Sequence, residues 1–516
     1  MSNANVYAAF EHSFAINAAR PALEIDSGHS CTFSQLDRET ARCAAALSSF
    51  GLQRGDRVAV QVGKSPQSLF LYLACLRAGL VFVPLNTAYQ LAEVAYFLSD
   101  AQPALVVCTP SAEGGVRQVI RTSNSSAQVA TLDGSGGGSL AEAVREASGH
   151  FKTKTMAPNE LAAIIYTSGT TGRSKGAMLT HHNLISNARV LVESWGFSRQ
   201  DVLLHALPIF HVHGLFVANH CALLSGAKLI WRPRFDAEAT LADLRRATVM
   251  MGVPTYYTRL LGDPGLTRRA CANVRVFISG SAPLSLDTFR EFRARTDHTI
   301  LERYGMSEAG MIASNPLKGE RRGGTVGLPL RGVSVRIADH QDQPRPSGDP
   351  GAIQIRGENV FAGYWRNPSK TREDFTADGW FRTGDVGVLD RDGYLSIVGR
   401  AKDLIITGGY NVYPKEVELV IDTMRGVVES AVVGVPHPDF GEAVTAAVVL
   451  DGSAEAPSES ALIAHLKTQL ANFKVPKRIH FVSDLPRNAM GKVQKNVLRE
   501  QLVERAAHRG GSESPV

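Results

Sequence analysis

The sequence predicts an α/β protein, with a large N-terminal domain of two doubly wound α/β subdomains plus a small β-rich subdomain, followed by an α+β C-terminal domain. Three observations predict it. From Thr32 to Pro84, helical and strand-like stretches alternate (FSQLDRETARCAAALSSFG, RVAVQV, SPQSLFLYLACLRAG, VFVPL), the rhythm of a doubly wound sheet. Beyond ILERYGMSEAGM, Gly and Pro become frequent and short alternating strands appear (VSVRIAD, GAIQIRG, GYLSIVG). From about Asp403 a separate helix and strand set begins. The 516 residues suffice for two or more domains, because single cores stop growing at roughly 250 to 300 residues.

In chain order, AEVAYFLSDAQPALVVCT repeats the helix–strand unit, and the Ser/Gly-rich segment from Ser123 to Ser139 reads as an exposed loop. The strand LAAIIYT leads into YTSGTTGRSKG, and a short strand and a helix from about Thr180 follow. Next come LLHALPIFHVHGLF, ATVMMGVPTYYTRLL and VRVFISGSAPLS, the last two each an apolar strand ending in small or turn residues. In open α/β sheets ligands sit beyond such strand ends. The predicted division is 1–400 for the large domain, 401–505 for the small one and 506–516 for a disordered tail.

Composition excludes several classes. Hydrophobic residues make up 44% and charged residues 20%, ordinary for a globular protein, and no apolar run approaches the roughly 20 residues of a membrane helix. The net charge of +6 comes without aromatic–basic interleaving, so small anionic substrates are expected rather than nucleic acid. The amino terminus has no basic leader or hydrophobic core of an export signal. Six scattered cysteines without a CxxC pattern point to reduced thiols and the cytoplasm.

The chemistry concentrates in Tyr166 to Gly176. Glycines let backbone N–H groups approach an anion, hydroxyls add donors and Lys175 adds a mobile charge, so the stretch reads as a phosphate cradle. A surface linker between two apolar strands has no need of this residue set. A Walker-type loop places Lys-Ser/Thr directly after its last glycine and then a helix, whereas here Gly172 is followed by Arg173, Ser174 and Lys175. Of the two histidines in the apolar run HVHGLF, His211 precedes a turn into a helix and is the better site candidate, while His213 fits a core position as well.

YTSGTTGRSKG, SGSAPL, ERYGMSE, the TGD of Thr383 to Asp385, GRAKDLIITGGYNVYPKEVE and PRNAMGKVQK occur in order over nearly the whole chain. This series resembles the signatures of the adenylate-forming superfamily of acyl-CoA synthetases, peptide-synthetase adenylation domains and luciferases. Within it, NTAYQL, HALPIFHVHGLF, MGVPTYYTRLL and LERYGMSE look most like malonyl-CoA synthetases, the malonate:CoA ligases.

The resemblance implies a two-step reaction. A carboxylate attacks the α-phosphate of ATP to give acyl-adenylate and pyrophosphate, and coenzyme A then displaces AMP. It implies that Thr167, Ser168, Gly169, Thr170, Thr171, Gly172 and Lys175 hold the β and γ phosphates, with Glu308 and Thr167 on Mg²⁺. Adenine would lie against Gly280, Ser281, Ala282 and Tyr304, with Glu302 also among the nucleotide-binding residues and Ser307, threonine in most relatives, near the α-phosphate. Asp385 and Arg400 would take the ribose, and His211 would join Glu308 and Lys492 among the catalytic residues. Lys492, delivered by a mobile C-terminal domain turning about Lys402, would serve adenylation. After that turn, Gly408, Gly409 and Tyr410 would flank the pantetheine tunnel, with Lys474, Lys477 and Arg478 available to the phosphates of coenzyme A.

The substrate is expected to be a short dicarboxylate whose second carboxylate pairs with buried Arg303 and Arg259, with His211, Val212 and Met311 around the acyl group. Lys492 is also expected to be a target for a protein acetyltransferase. Competing readings are a ligase for another short acid, a stand-alone adenylation enzyme loading a carrier protein, luciferase-like oxygenation and a nucleotide-binding regulator without catalysis. The last predicts decay at Glu308, Lys492 or the phosphate loop, all of which are intact.

Overall fold

The computed structural model describes residues 3–25, 28–123, 125–167, 174–407, 410–437, 440–453, 456–488 and 491–510. The chain forms two compact units, Met1–Val335 with Ile355–Phe381, and Arg336–Gln354 with Arg382–Val516.

The first unit carries two sheets. A six-stranded sheet runs in the order Gln128–Thr131, Leu105–Cys108, Arg57–Gln61, Val81–Pro84, Leu161–Thr167, Lys175–Thr180, parallel except for the final pair. A nine-stranded sheet has a parallel centre of Leu301–Met306, Val276–Ser279, Val249–Gly252, Val202–His205, Lys228–Trp231 and Pro21–Ile25, closed at both ends by antiparallel strands. VFVP, LVVC, VMMG and VFIS are buried throughout, which follows because a parallel sheet is covered by helices on both faces. The covering helices have legible ends. Helix Phe33–Ser49 starts at a Thr32/Gln35 capping box, and helix Pro66–Ala78 has Ser65 as its cap, Pro66 in its first turn and Gly79 at φ 71° after its last.

The second unit holds a five-stranded sheet of Tyr410–Val412, Ile405–Thr407, Gly441–Leu450, Val427–His437 and Arg478–Val482. Helices Pro414–Ile421 and Glu459–Gln469 bury Val417, Ile421, Leu462 and Leu466 against it.

Three details depart from expectation. The segment from Ser123 to Ser139 is not wholly loop: Gln128–Thr131 is an edge strand pairing Val129 with Val106, and Ala130 and Leu132 are buried. Its glycines mask a run of only four residues, too short for periodicity to reveal. The tail expected to be disordered from 506 is helical up to Gly510, because the helix-forming run EQLVERAAHR propagates a helix already begun; 511–516 lie outside the described residues. The expected domain boundary at 400 falls inside the second unit, whose strand pair Phe381–Leu389 and Leu395–Arg400 sets Asp385 opposite Arg400. The α/β class, the β-rich stretch and the α+β set after Asp403 are present. Among the described residues no helix is long and apolar enough to cross a membrane, and the six cysteines are unpaired.

Candidate active site

In the first unit the strand Leu161–Thr167 runs into the expected phosphate loop, and its antiparallel partner begins at Lys175, directly opposite Thr167. Ser168, Gly169, Thr170, Thr171 and Gly172 lie outside the described residues. The two flanking residues are held in place. The Thr167 hydroxyl donates to Glu308 Oε1 at 3.3 Å, and the Tyr364 hydroxyl donates to the same oxygen at 3.3 Å. Glu308 is buried, in the turn between strands Leu301–Met306 and Gly310–Ser314. The Lys175 ammonium lies 5.4 Å from the centre of the Tyr364 ring, and burial, reinforced by Lys370, lowers its pKa. Hydroxyl and carboxylate oxygens converging here are the hard donors that Mg²⁺ prefers.

Tyr364 is a site residue the motifs did not announce. It is placed by sheet-like pairing of its segment with the strand after the loop, Met178 N–H to Gly363 O at 2.9 Å and Trp365 N–H to Gly176 O at 2.7 Å. The signal for it in sequence is faint, a GYW triplet before Asn367, which caps a short helix starting at Pro368.

The strand Val276–Ser279 ends at Gly280, Ser281 and Ala282. Ser281 sits at φ 76°, a left-handed conformation a non-glycine residue adopts only when its surroundings impose it. Its hydroxyl pairs with His213 Nδ1 at 3.2 Å. A Cβ at Gly280 would stand 2.5 Å from the guanidinium carbon of Arg303, so the glycine leaves room for Arg303 to pass where it does. Arg303 is only 3% exposed, and among the described residues its buried Nε and Nη2 have no hydrogen-bond partner. Burial pulls its pKa down to about 10, against the pull of Tyr257 and Glu302. Glu302 accepts from Leu284 N–H at 3.0 Å and so anchors the SGSAPL loop.

His213 opens a π-helical turn, His213–Ala218, a rare element that marks functional sites. It is buried, and burial followed by the charge of Arg303 keeps its pKa well below the usual histidine range. The structure therefore brings His213, Ser281, Gly280 and Arg303 together, where sequence had left His213 undecided. His211 is half-buried and its Nδ1 accepts from His213 N–H at 3.3 Å. Val212 lines a cavity of about 20 Å³ with Asn187, Phe216 and Gly310. Met311 is gripped on both sides by Asn187, at 3.0 and 2.9 Å, and its side chain lies where a Cβ on Gly305 would fall. Tyr304 and Ser307 border this group on the strand Leu301–Met306 and the turn after it.

Arg259 departs from expectation in its burial alone. Helix Pro254–Leu261 buries Tyr257 and Leu260, and Arg259, two positions from Tyr257 and so roughly on the opposite face, is exposed.

In the second unit Arg400 Nε lies 2.9 Å from Asp385 Oδ1. Lys492 ends a turn in which its N–H donates to Asn488 Oδ1 at 3.0 Å. Burial, then Arg400, lowers its pKa to about 8, with Asp385, Lys402 and Asp403 also acting on it. Lys402 lies in the short 3₁₀ turn Ala401–Asp403. Gly408 and Gly409 are outside the described residues, and of Tyr410 only the strand backbone is described. Lys474 is engaged by Glu416 at 2.5 Å.

Comparison with known proteins agrees with this arrangement. Residues 10–365 match the family model of the AMP-binding enzyme and residues 416–492 that of the AMP-binding enzyme C-terminal domain. The chain belongs to this family and is an acyl-CoA ligase that works through an acyl-adenylate, with ATP and coenzyme A as substrates. Among solved structures it resembles ATP-bound MatB from Rhodopseudomonas palustris, at 52% identity and a TM-score of 0.94 over 98% of this chain and 99% of that one. Curated relatives include the sulfoacetate–CoA ligase of Cupriavidus necator, 37% identical over 92% of this chain and 93% of that protein, and the malonate–CoA ligase of Arabidopsis thaliana, 32% identical over 88% and 79%.

Proposed function

We propose that the chain makes malonyl-CoA from malonate, ATP and coenzyme A, with methylmalonate as the competing substrate. The observation that carries this reading is Arg303, whose buried Nε and Nη2 have no hydrogen-bond partner among the described residues. A buried guanidinium left unpaired is costly, and a carboxylate supplies two parallel hydrogen bonds to it. The relatives support the same class, since malonate and sulfoacetate are both short acids with a second anionic group.

One malonate carboxylate then attacks the α-phosphorus of ATP and pyrophosphate leaves; the coenzyme A sulfur next attacks the acyl carbon and AMP leaves. Lys175 and the loop from Thr167 to Gly172 hold the β and γ phosphates. Glu308 and Thr167 would hold Mg²⁺, which would supply neutralising charge there when bound. Gly280, Ser281, Ala282 and Tyr304 receive the adenine, with Glu302 also among the nucleotide-binding residues, Ser307 stands at the α-phosphate, and Asp385 and Arg400 take the ribose. Val212, Met311 and His211 shape the space around the central carbon. Gly408, Gly409 and Tyr410 serve the thioester step. Five buried, unpaired thiols support a reducing, cytoplasmic setting. A panel of malonate, methylmalonate, sulfoacetate, acetate and butyrate in a coenzyme A thioester assay tests the reading, and preference for a monoacid overturns it.

Two further results are expected. Lys492 must be charged to act at the α-phosphate, and its pKa is lowered to about 8. The kcat/KM for adenylation, which reports the free enzyme, is therefore full below that pH and falls as pH rises through it. In kcat the fall comes at higher pH, because bound phosphates favour the charged ammonium. A profile flat to pH 9.5 contradicts this role. Proline at 402 fixes φ near −65° and so removes the backbone freedom a hinge requires. For Lys402→Pro one half-reaction is expected to survive and the other to fail; equal retention of both excludes a hinge there.

A further inference from the structure

A second line of polar contacts in the first unit leads to the π-helical turn that carries His213. Lys64 follows the strand Arg57–Gln61 of the six-stranded sheet, and His205 ends the strand Val202–His205 of the nine-stranded one. The Lys64 ammonium lies 2.8 Å from His205 Nδ1, 2.7 Å from His205 O and 4.3 Å from the centre of the Trp231 ring. His205 is fully buried, and its Nε2 lies 3.0 Å from Gly214 O.

The proton positions follow by elimination. A carbonyl oxygen only accepts, so Nε2 carries the hydrogen. Burial first and Lys64 second keep the ring neutral, so Nδ1 is bare and accepts from Lys64. Gly214 is the second residue of the π-helical turn and packs closely against the segment before it. A Cβ there would stand 2.2 Å from Pro208 O. The residue before it is His213, which pairs with the strained Ser281 at 3.2 Å.

We propose that Lys64 is a positioning residue for the acid pocket: it holds His205 in the Nε2–H tautomer, which fixes Gly214 and with it the π-helical turn that sets His213 against Ser281 and beside Arg303. This deepens the reading of that pocket as the acid site and rests on it. Burial also lowers the Lys64 pKa well below the usual lysine range, so the side chain is held by these contacts rather than by solvation. A plain strut between two sheets would affect folding alone, whereas a positioning residue acts on one substrate selectively.

The test uses the full-length enzyme and whichever acid the wild type turns over with the highest kcat/KM, so failure of malonate as substrate overturns the diacid reading without touching this one. Lys64→Met is expected to raise KM for the acid by about ten- to a hundredfold, the scale of a small misplacement of the reacting group, with KM for ATP within about twofold. In a His205→Gln background, where the amide still donates to Gly214 O but no ring nitrogen faces Lys64, the same substitution is expected to add nothing, so the two effects are non-additive. An unchanged acid KM in Lys64→Met, or full additivity, overturns the proposal. Should Lys64→Met fail to fold, His205→Asn, which loses the donor to Gly214, must raise the acid KM alone, and an unchanged value there overturns it equally.

Discussion

Lys492→Ala is expected to slow acyl-adenylate formation by about a hundredfold or more, the usual cost of losing one preorganised charge at a transition state. Thioester formation from preformed malonyl-adenylate should stay near the wild-type rate. The two half-reactions separate because Lys492 acts where negative charge builds up on the α-phosphate, and thiol attack on the acyl carbon has no need of it there. Its surroundings are built to poise a charge: Arg400, Asp385, Lys402 and Asp403 all act on the ammonium, and the turn through Asn488 fixes its backbone. Pyrophosphate exchange reports the first step and coenzyme A consumption from synthetic malonyl-adenylate the second. Equal losses in both exclude an adenylation-specific role. Acetylation removes the same charge, so a protein acetyltransferase acting on Lys492 should silence adenylation, and a stoichiometrically acetylated, fully active enzyme contradicts that control.

Arg303→Ala is expected to lower kcat/KM for malonate by about a thousandfold and to leave acetate nearly unchanged. Sites built to hydrogen-bond a substrate group reject analogues lacking it by factors of about 10⁴ to 10⁵, and the wild type should discriminate against acetate on this account. The physical basis is the guanidinium beneath Gly280, 3% exposed and with Nε and Nη2 unpartnered among the described residues. Without the arginine the second malonate carboxylate meets a dry pocket with no counter-charge. Arg259→Ala is measured in parallel: because Arg259 is exposed, its loss is expected to reduce discrimination less than loss of Arg303. An Arg303→Ala enzyme that keeps its preference for malonate over acetate would falsify the diacid assignment.

Much of this was legible in the sequence, for a reason visible residue by residue. The phosphate loop announces itself because glycines, hydroxyls and a lysine act locally. Arg303 stands within a motif, LERYGMSE, that is read as a unit. The cap at Ser65, the proline at 66 and the glycine at 79 mark one helix by short-range chemistry. Where only spacing was available the reading faltered. Arg259 follows VPTYY in sequence, yet a helical step of two residues turns it away from Tyr257 and into solvent. The edge strand Gln128–Thr131 has four residues and owes its existence to a neighbour, Leu105–Cys108.

The sequence by itself determined the fold class and the order of most elements, because periodicity is a property of contiguous chain, and through its motifs the resemblance to a family of acyl-CoA ligases that work through an acyl-adenylate. Only the tertiary structure decided that Glu308 receives hydroxyls from Thr167 and Tyr364, that Ser281 takes a left-handed conformation against His213, that Arg303 is buried with Nε and Nη2 unpartnered among the described residues, and that Lys64 lies against the ring of His205. Thr167 and Glu308 are 141 positions apart, as are Lys64 and His205. Burial and pairing over such separations depend on how two sheets meet in space, and no local pattern encodes that.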